Sequence, residues 1–266
     1  WPLPTMAPLA HTLALLAMTV ATAAIKVTRL DMAQDSFDDR YQGCGPAMTA
    51  ALPALNHTDF QQNPLFAHAW AIATALWEMG GSRVSPLASP AQAIAVMAYT
   101  MNGLYKDFNA AVKAAGHSPQ QYRDSFHFKV LHFLLTDALA TLRATQGSQC
   151  HDVCRGVKGK RFEARRGDTV RFGRFTSTSL KEIAAECFGT GTIFQVHTCH
   201  GAGIQEFSYF PFEQEVLIPP FETFEVTKVT QEGDTTQIQL RSTGNFSRYN
   251  CEWLRGDTTG DSLGGM

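Results

Sequence analysis

The sequence predicts an α+β fold, a helical amino-terminal lobe packed on a β-rich carboxy-terminal lobe. Three observations carry this. Up to residue 147 the apolar residues fall at helical spacing and are punctuated by capping residues. After Gly147 the runs are short and rich in β-branched and aromatic residues. No repeat, low-complexity linker or coiled coil divides the two textures, and 266 residues suit one full core or two tightly joined lobes.

The helical elements come first. Pro64 to Met79 is rich in Ala, Trp and Leu and is stopped by Gly80-Gly81. Ser89-Pro90 supplies an N-cap followed by proline at the first helical position, ahead of Ile94, Met97 and Ala98. Leu104 to Ala115 ends at Gly116. Ser118-Pro119 opens a long segment with Phe126, Val130, Phe133, Leu134, Leu139 and Leu142 on one broad face, where His127 and His132 read as surface or interface residues. The strands follow at Thr169 to Ser179, Thr192 to Thr198, Glu215 to Ile218, Phe224 to Val229 and Thr235 to Leu240, with a hairpin turn at Glu232-Gly233-Asp234.

Composition excludes some partners. A net charge of −2 writes in no strong attraction to nucleic acid or anionic membrane. From Met6 an apolar run through Leu9, Leu13, Leu15, Leu16 and Val20 carries no charge before Lys26, and Ala21-Thr22-Ala23 has the small-x-small cleavage pattern. Residues 1–23 are therefore expected to be a signal peptide, with 1–5 as stray upstream residues, and 24–266 a single domain, mainly helical over 24–147 and mainly β over 148–256. The polar carboxyl end from Asp257 to Met266 has no hydrophobic tail of the lipid-anchor type. The expectation is a secreted or granule-stored monomer without a membrane anchor.

Six cysteines in an exported chain read as disulfides, though residues alone do not choose the pairing. Cys150 to Cys154 is a poor zinc pattern, the histidines have no metal spacing, and no metal is expected. Asn56-His57-Thr58 and Asn245-Phe246-Ser247 are sequons fitting surface glycosylation at Asn56 and Asn245.

Chemistry concentrates in three β-lobe elements. Glu213-Gln214-Glu215 stands before an apolar run, and residues i and i+2 of a strand share a face, so both carboxylates are expected to meet one ligand, with Gln214 pointing away. Paired acids suit stabilising positive charge and steering a proton. Cys154-Arg155-Gly156 offers a guanidinium fork suited to phosphate beside a glycine that lets a flat ligand approach the backbone. Thr176-Ser177-Thr178-Ser179 is a hydroxyl-bearing strand. The basic run Lys158, Lys160, Arg161, Arg165 and Arg166 reads as a solvated loop.

An arginine, then a Ser-x-Ser strand, then Glu-x-Glu directly before Val216-Leu217-Ile218-Pro219-Pro220 resembles the vertebrate arginine-specific mono-ADP-ribosyltransferases, secreted avian members above all. Leu30-Asp31-Met32-Ala33 and the stretch from Ser36 to Cys44 look like the amino-terminal signature of that family. Tyr99-Thr100, Leu104-Tyr105 and Phe108-Asn109 look like its helical lobe, and Cys199 to Ile204 and Tyr249-Asn250-Cys251 like its later cysteine regions.

The resemblance implies a helical lobe on a β-sandwich core and transfer of ADP-ribose from NAD, or NADP, to the guanidino group of acceptor proteins or small guanidino compounds. NAD is a co-substrate, and no permanently bound cofactor is implied. Glu215 would stabilise the oxocarbenium-like ribose, as carboxylates do in glycoside cleavage, and Glu213 would direct the acceptor arginine. Ser177 would position Glu215 and the ribose, Arg155 would grip the phosphates, and Gly156 would meet the carboxamide. Phe188 matches an aromatic position on the nicotinamide, although by itself it also reads as core. Tyr105 and Ser208 are further candidate NAD contacts. Family pairing implies Cys44 with Cys251 and Cys150 with Cys199, leaving Cys154 and Cys187 joined or free. Water as the acceptor, giving an NAD glycohydrolase, and a catalytically silent secreted binding module are the competing readings.

Overall fold

A computed structural model describes residues 26–180 and 191–257. The expected leader over 1–23, together with Cys187 and Phe188, lies outside the described residues.

Six helices build the amino-terminal lobe: α1 (Gly45–Gln62), α2 (Pro64–Met79), α3 (Pro90–Thr100), α4 (Leu104–Ala115), α5 (Pro119–Ser125) and α6 (Lys129–Thr145). Caps set their starts. Asn63 accepts from Phe66 N ahead of Pro64, and Ser89 accepts from Gln92 N ahead of Pro90. Gly116 does more than end α4. A Cβ there would lie 2.1 Å from Ser36 O, and its N–H and C=O bond Asp35 O and the Tyr249 hydroxyl.

Two helical expectations are corrected. The segment after Ser118 is two helices, because Phe126, His127 and Phe128 leave the helical path between α5 and α6. His132 is fully buried in α6 rather than at a surface. Its Nδ1 lies 2.9 Å from the Tyr41 hydroxyl and its Nε2 3.1 Å from Phe37 O, so a neutral ring that donates from Nε2 is satisfied on both sides. No expectation covered α1, whose apolar residues gather on no single face and which carries Pro53 inside it.

The β lobe contains β1 (Lys26–Arg29), β2 (His151–Lys158), β3 (Lys160–Glu163), β4 (Thr169–Val170), β5 (Thr176–Ser179), β6 (Gly191–Thr198), β7 (Ala202–Gly203), β8 (Glu215–Ile218), β9 (Glu222–Glu232) and β10 (Thr235–Asn245). β1 pairs with β3, and the rest form one mixed sheet ordered β4-β9-β10-β6-β2-β5-β8-β7. A single bridge, Cys154 to Ser179, joins β2 to β5, so the sheet parts there into a five-strand and a three-strand half. Val153, Phe194 and Val196 of one half share a buried cluster with Val216 and Ile218 of the other, which gives the lobe its sandwich character. A second cluster fills the helical lobe and reaches the sheet at Phe175, which stacks on Phe108 of α4 at 5.5 Å between centroids.

The stretch from Ser36 to Cys44 ties both ends of the chain together. Asp38 accepts from Arg248 N and Tyr249 N and pairs with fully buried Arg171, while Asp39 accepts from Tyr41 N, Cys251 N and Glu252 N. Arg171 also bonds Met32 O and Phe246 O. The disulfides are Cys44–Cys251, which starts α1 and precedes the terminal helix α7 (Glu252–Asp257), and Cys150–Cys199. Cys154 is disulfide-bonded as well, not a free thiol. Among the described residues no helix is long and apolar enough to cross a membrane. The grouping of Cys150, His197 and Cys199 has ligand-like spacing, but both of its sulfurs are in the disulfide.

Candidate active site

The site lies at the seam where the sheet halves part, facing α3 and α4. β5 and β8 run antiparallel with Ser179 opposite Glu215 and Ser177 opposite Leu217, so Ser177 and Glu215 are diagonal neighbours on one face. Glu215 opens β8 and is 6% exposed. From the far side of the seam, Arg155 of β2 donates from Nη1 to Ser177 O. These residues, with Gly156, Tyr105 and Glu213, line one cleft of about 540 Å³.

The paired acids meet in this cleft by a route different from the one strand alternation predicts. Glu213 ends a 3₁₀ turn, Pro211–Glu213, and Gln214 is left-handed at φ 50° and ψ 48° before β8 begins. The turn, not the pleat, carries both side chains into the cleft. Ser179 Oγ donates to Glu213 O, and Tyr209 N donates to Thr100 Oγ1 of α3, so the loop is pinned at both ends. Gln214 itself is exposed. Ser208 is turned inward, its Oγ accepting from Phe210 N, and is not part of the described cleft wall.

Several lining residues carry no role in the sequence reading. Tyr99, 2% exposed, donates to Phe175 O, accepts from Asn109 Nδ2 and stands 3.4 Å from Ser177 Oγ. Burial, followed by the nearby Glu215 charge, holds its phenol above the usual range. Lys106 and Lys113 of α4, Lys160 of β3 and Arg174 join Arg155 on the basic wall. Burial and then Arg155 push Arg174 down, and burial and then Arg174 push Lys113 down. Tyr105, Asn109 and Lys113 recur every four residues, a spacing that puts them on one face of α4 and was available in the sequence. Lys160 was legible only as part of a basic run, and nothing local marks Arg174.

Among the described residues, two buried polar atoms in this wall have no protein partner: Arg155 Nε and Asn109 Oδ1. A buried donor and a buried acceptor left unpaired cost stability unless a ligand meets them. With the excess of cations, they fit a molecule carrying both phosphates and hydroxyl or amide N–H groups, as a dinucleotide does. A larger groove of about 610 Å³ runs over β2, β6 and β10, but its lining mixes apolar residues such as Val153, Ile193 and Leu240 with Gln195, Gln237 and Gln239 and has no paired acids.

The sequence profile of the NAD:arginine ADP-ribosyltransferase family matches residues 30–248. The chain is 52% identical over 234 residues to the erythroblast NAD(P)(+)--arginine ADP-ribosyltransferase of Gallus gallus, covering 87% of this chain and 78% of that one. It is 48% identical over 244 residues to the human GPI-linked NAD(P)(+)--arginine ADP-ribosyltransferase 1, covering 85% and 75%. Among solved structures it is similar to the eucaryotic mono-ADP-ribosyltransferase ART2.2, with a TM-score of 0.73 at 38% identity over 84% of this chain and 98% of that one. A variant of that enzyme bound to NAD superposes with a TM-score of 0.72 at 36% identity over the same shares.

Proposed function

The chain belongs to the NAD:arginine ADP-ribosyltransferase family, and from that premise we propose that Arg155, Ser177, Glu213 and Glu215 divide the work of its reaction. The enzyme transfers ADP-ribose from NAD to the guanidino group of arginine and releases nicotinamide.

Breaking the bond to nicotinamide leaves positive charge on the ribose. Glu215, held in a dry position at the start of β8, stabilises that charge as it develops. Ser177 and the Tyr99 hydroxyl near it orient the sugar. Arg155 binds the pyrophosphate with the edge of its guanidinium that is not bonded to Ser177 O. Glu213, half-exposed at the mouth, receives the acceptor guanidinium and takes its proton as the new C–N bond forms. The observation that carries this division is the shared cleft of Glu213 and Glu215 with one acid buried and the other open to an incoming side chain. Incubation with labelled NAD and an arginine analogue tests it. Glu215→Gln is expected to lose nicotinamide release and transfer together by at least about 10²-fold; retention of either rate counts against the role of Glu215.

We read the protein as a secreted monomer. The disulfides support an oxidising compartment. Of the two sequons, Asn245 fits glycosylation better. Its side chain is exposed, and its Oδ1 accepts from Arg40 while Nδ2 is left for a glycan. The Asn56 amide oxygen is buried within α1.

A further inference from the structure

Among the described residues, Cys150, His197 and Cys199 each bring one ligand atom within 4.8 Å of the other two. None of the three lines the cleft of Glu213 and Glu215. The cysteines are 49 residues apart in the chain, so no local spacing announces the group.

The β2–β6 ladder builds it. Asp152 is opposite His197 in the antiparallel register. Cys150 and Cys199 stand two residues further out on the same two chain segments, 4.1 Å apart at Cα. Residues i and i+2 share a face of a strand, so two cysteines, a histidine and a carboxylate occupy one patch. Asp152 Oδ1 lies 2.7 Å from His197 Nδ1. With the proton on Nδ1 held by that carboxylate, Nε2 keeps its electron pair, the arrangement that orients and strengthens a histidine ligand. Cys150 is exposed and the His197 side chain is 43% exposed, so ions and small thiols reach the patch.

The scaffold has holds besides the sulfur–sulfur bond. Cys199 N donates to buried Glu222 Oε1 at 2.7 Å, and Cys199 O accepts from Arg143 Nε of α6 at 2.6 Å. The ladder runs on from Asp152 opposite His197 to Lys158 opposite Gly191. Opening the bond therefore frees two sulfurs without scattering the residues that carry them. An external thiol supplies the electrons: two RSH molecules become RS–SR as the disulfide becomes two cysteine thiols. A divalent cation then displaces both thiol protons and binds two thiolates and one imidazole. Two sulfurs and a nitrogen select zinc over magnesium or calcium, which take oxygen ligands. The fourth position of the zinc tetrahedron is left to water.

We propose that thiol reduction of the Cys150–Cys199 disulfide converts this staple into a zinc site formed by Cys150, Cys199 and His197, with Asp152 orienting the histidine. The end of the ladder is then clamped in either redox state. β2 also carries Arg155, so the clamp preserves the strand that presents this residue to the cleft.

Cobalt titration of the full chain tests this. The protein is reduced under argon with a small dithiol, freed of it by gel filtration and titrated with Co²⁺. The reduced protein is expected to develop a thiolate-to-cobalt charge-transfer band that saturates at one equivalent and is bleached by Zn²⁺, and the oxidised protein none. Cys150→Ser with Cys199→Ser removes the band while keeping the other cysteines. His197→Gln and Asp152→Asn each leave both cysteines in place and are expected to weaken Co²⁺ binding by about tenfold or more. Zn²⁺ is expected to raise the melting temperature of the reduced protein and leave that of the oxidised protein unchanged. The absence of the band in reduced protein, a band that survives the double serine change, or an affinity indifferent to His197→Gln overturns the proposal. So does a band carried by a chain that circular dichroism shows to be unfolded with metal bound.

Discussion

Arg155 Nη1 donates to the main-chain carbonyl of Ser177 across the seam between the sheet halves, while Arg155 Nε is buried with no protein partner among the described residues. One side of the guanidinium is thus fixed to the scaffold and another is held ready for a ligand, which fixes the fork before any substrate arrives. Lysine offers a point charge and no such fork. Arg155→Lys is therefore expected to lower kcat/KM for NAD by about 10²-fold with little change in melting temperature. Near-normal kinetics would show that charge alone suffices at this position.

Gln214 sets the relation between the two acids. A β-branched side chain in its left-handed conformation is strained by about 1–2 kcal/mol. Gln214→Val is expected to lower stability by that amount and to reduce transfer to an arginine analogue relative to NAD cleavage, whereas Gln214→Gly should keep the ratio. Denaturant titration and product analysis check the two effects. A valine variant with an unchanged product ratio would mean that Glu213 is positioned by other contacts.

The buried pair of Asp38 and Arg171 joins the amino-terminal stretch, the strand lobe and the carboxyl-terminal stretch. Removing one partner leaves the other charge buried and uncompensated. Asp38→Ala is expected to cost about 3–5 kcal/mol in chemical denaturation. A loss near that of an exposed surface pair would contradict the proposed knot.

Acid stability follows from two buried groups of opposite sign. Burial lowers His132 from 6.5 to about 3, so the unfolded chain takes up the proton first. The stability tied to neutral His132 is complete above pH 6.5 and is lost as pH falls toward 3. Burial raises Asp59 from 3.8 to about 6, so the folded chain holds this proton longer. Its contribution is complete below 3.8 and declines as pH rises through 6. Denaturation midpoints across this range are expected to rise more steeply with pH in Asp59→Asn than in the unmodified protein. A shallower rise in that variant would contradict the assignment of Asp59.

Much of the frame was legible locally. α2 and α4 have the bounds their caps and glycines mark, and β8 begins and ends where its apolar run does. α1 was not legible because its apolar residues have no preferred face, and the break before α6 was hidden because Phe126 and Phe128 look like core positions in a continuous helix. The cleft partners Arg155, Ser177, Glu213 and Glu215 stood out by residue type, yet the reason the acids meet did not, since a left-handed glutamine has no sequence signal. Arg174 and Lys160 acquire meaning only when separate elements converge, and local patterning does not report that convergence.

The division of labour between the two acids is tested most directly by measuring, in Glu213→Gln, labelled arginine-analogue adduct against free ADP-ribose from the same labelled NAD. Transfer is expected to fall by about 10²-fold while NAD cleavage to ADP-ribose persists, because only the acceptor loses its carboxylate. Parallel loss of both products would contradict separate roles for Glu213 and Glu215.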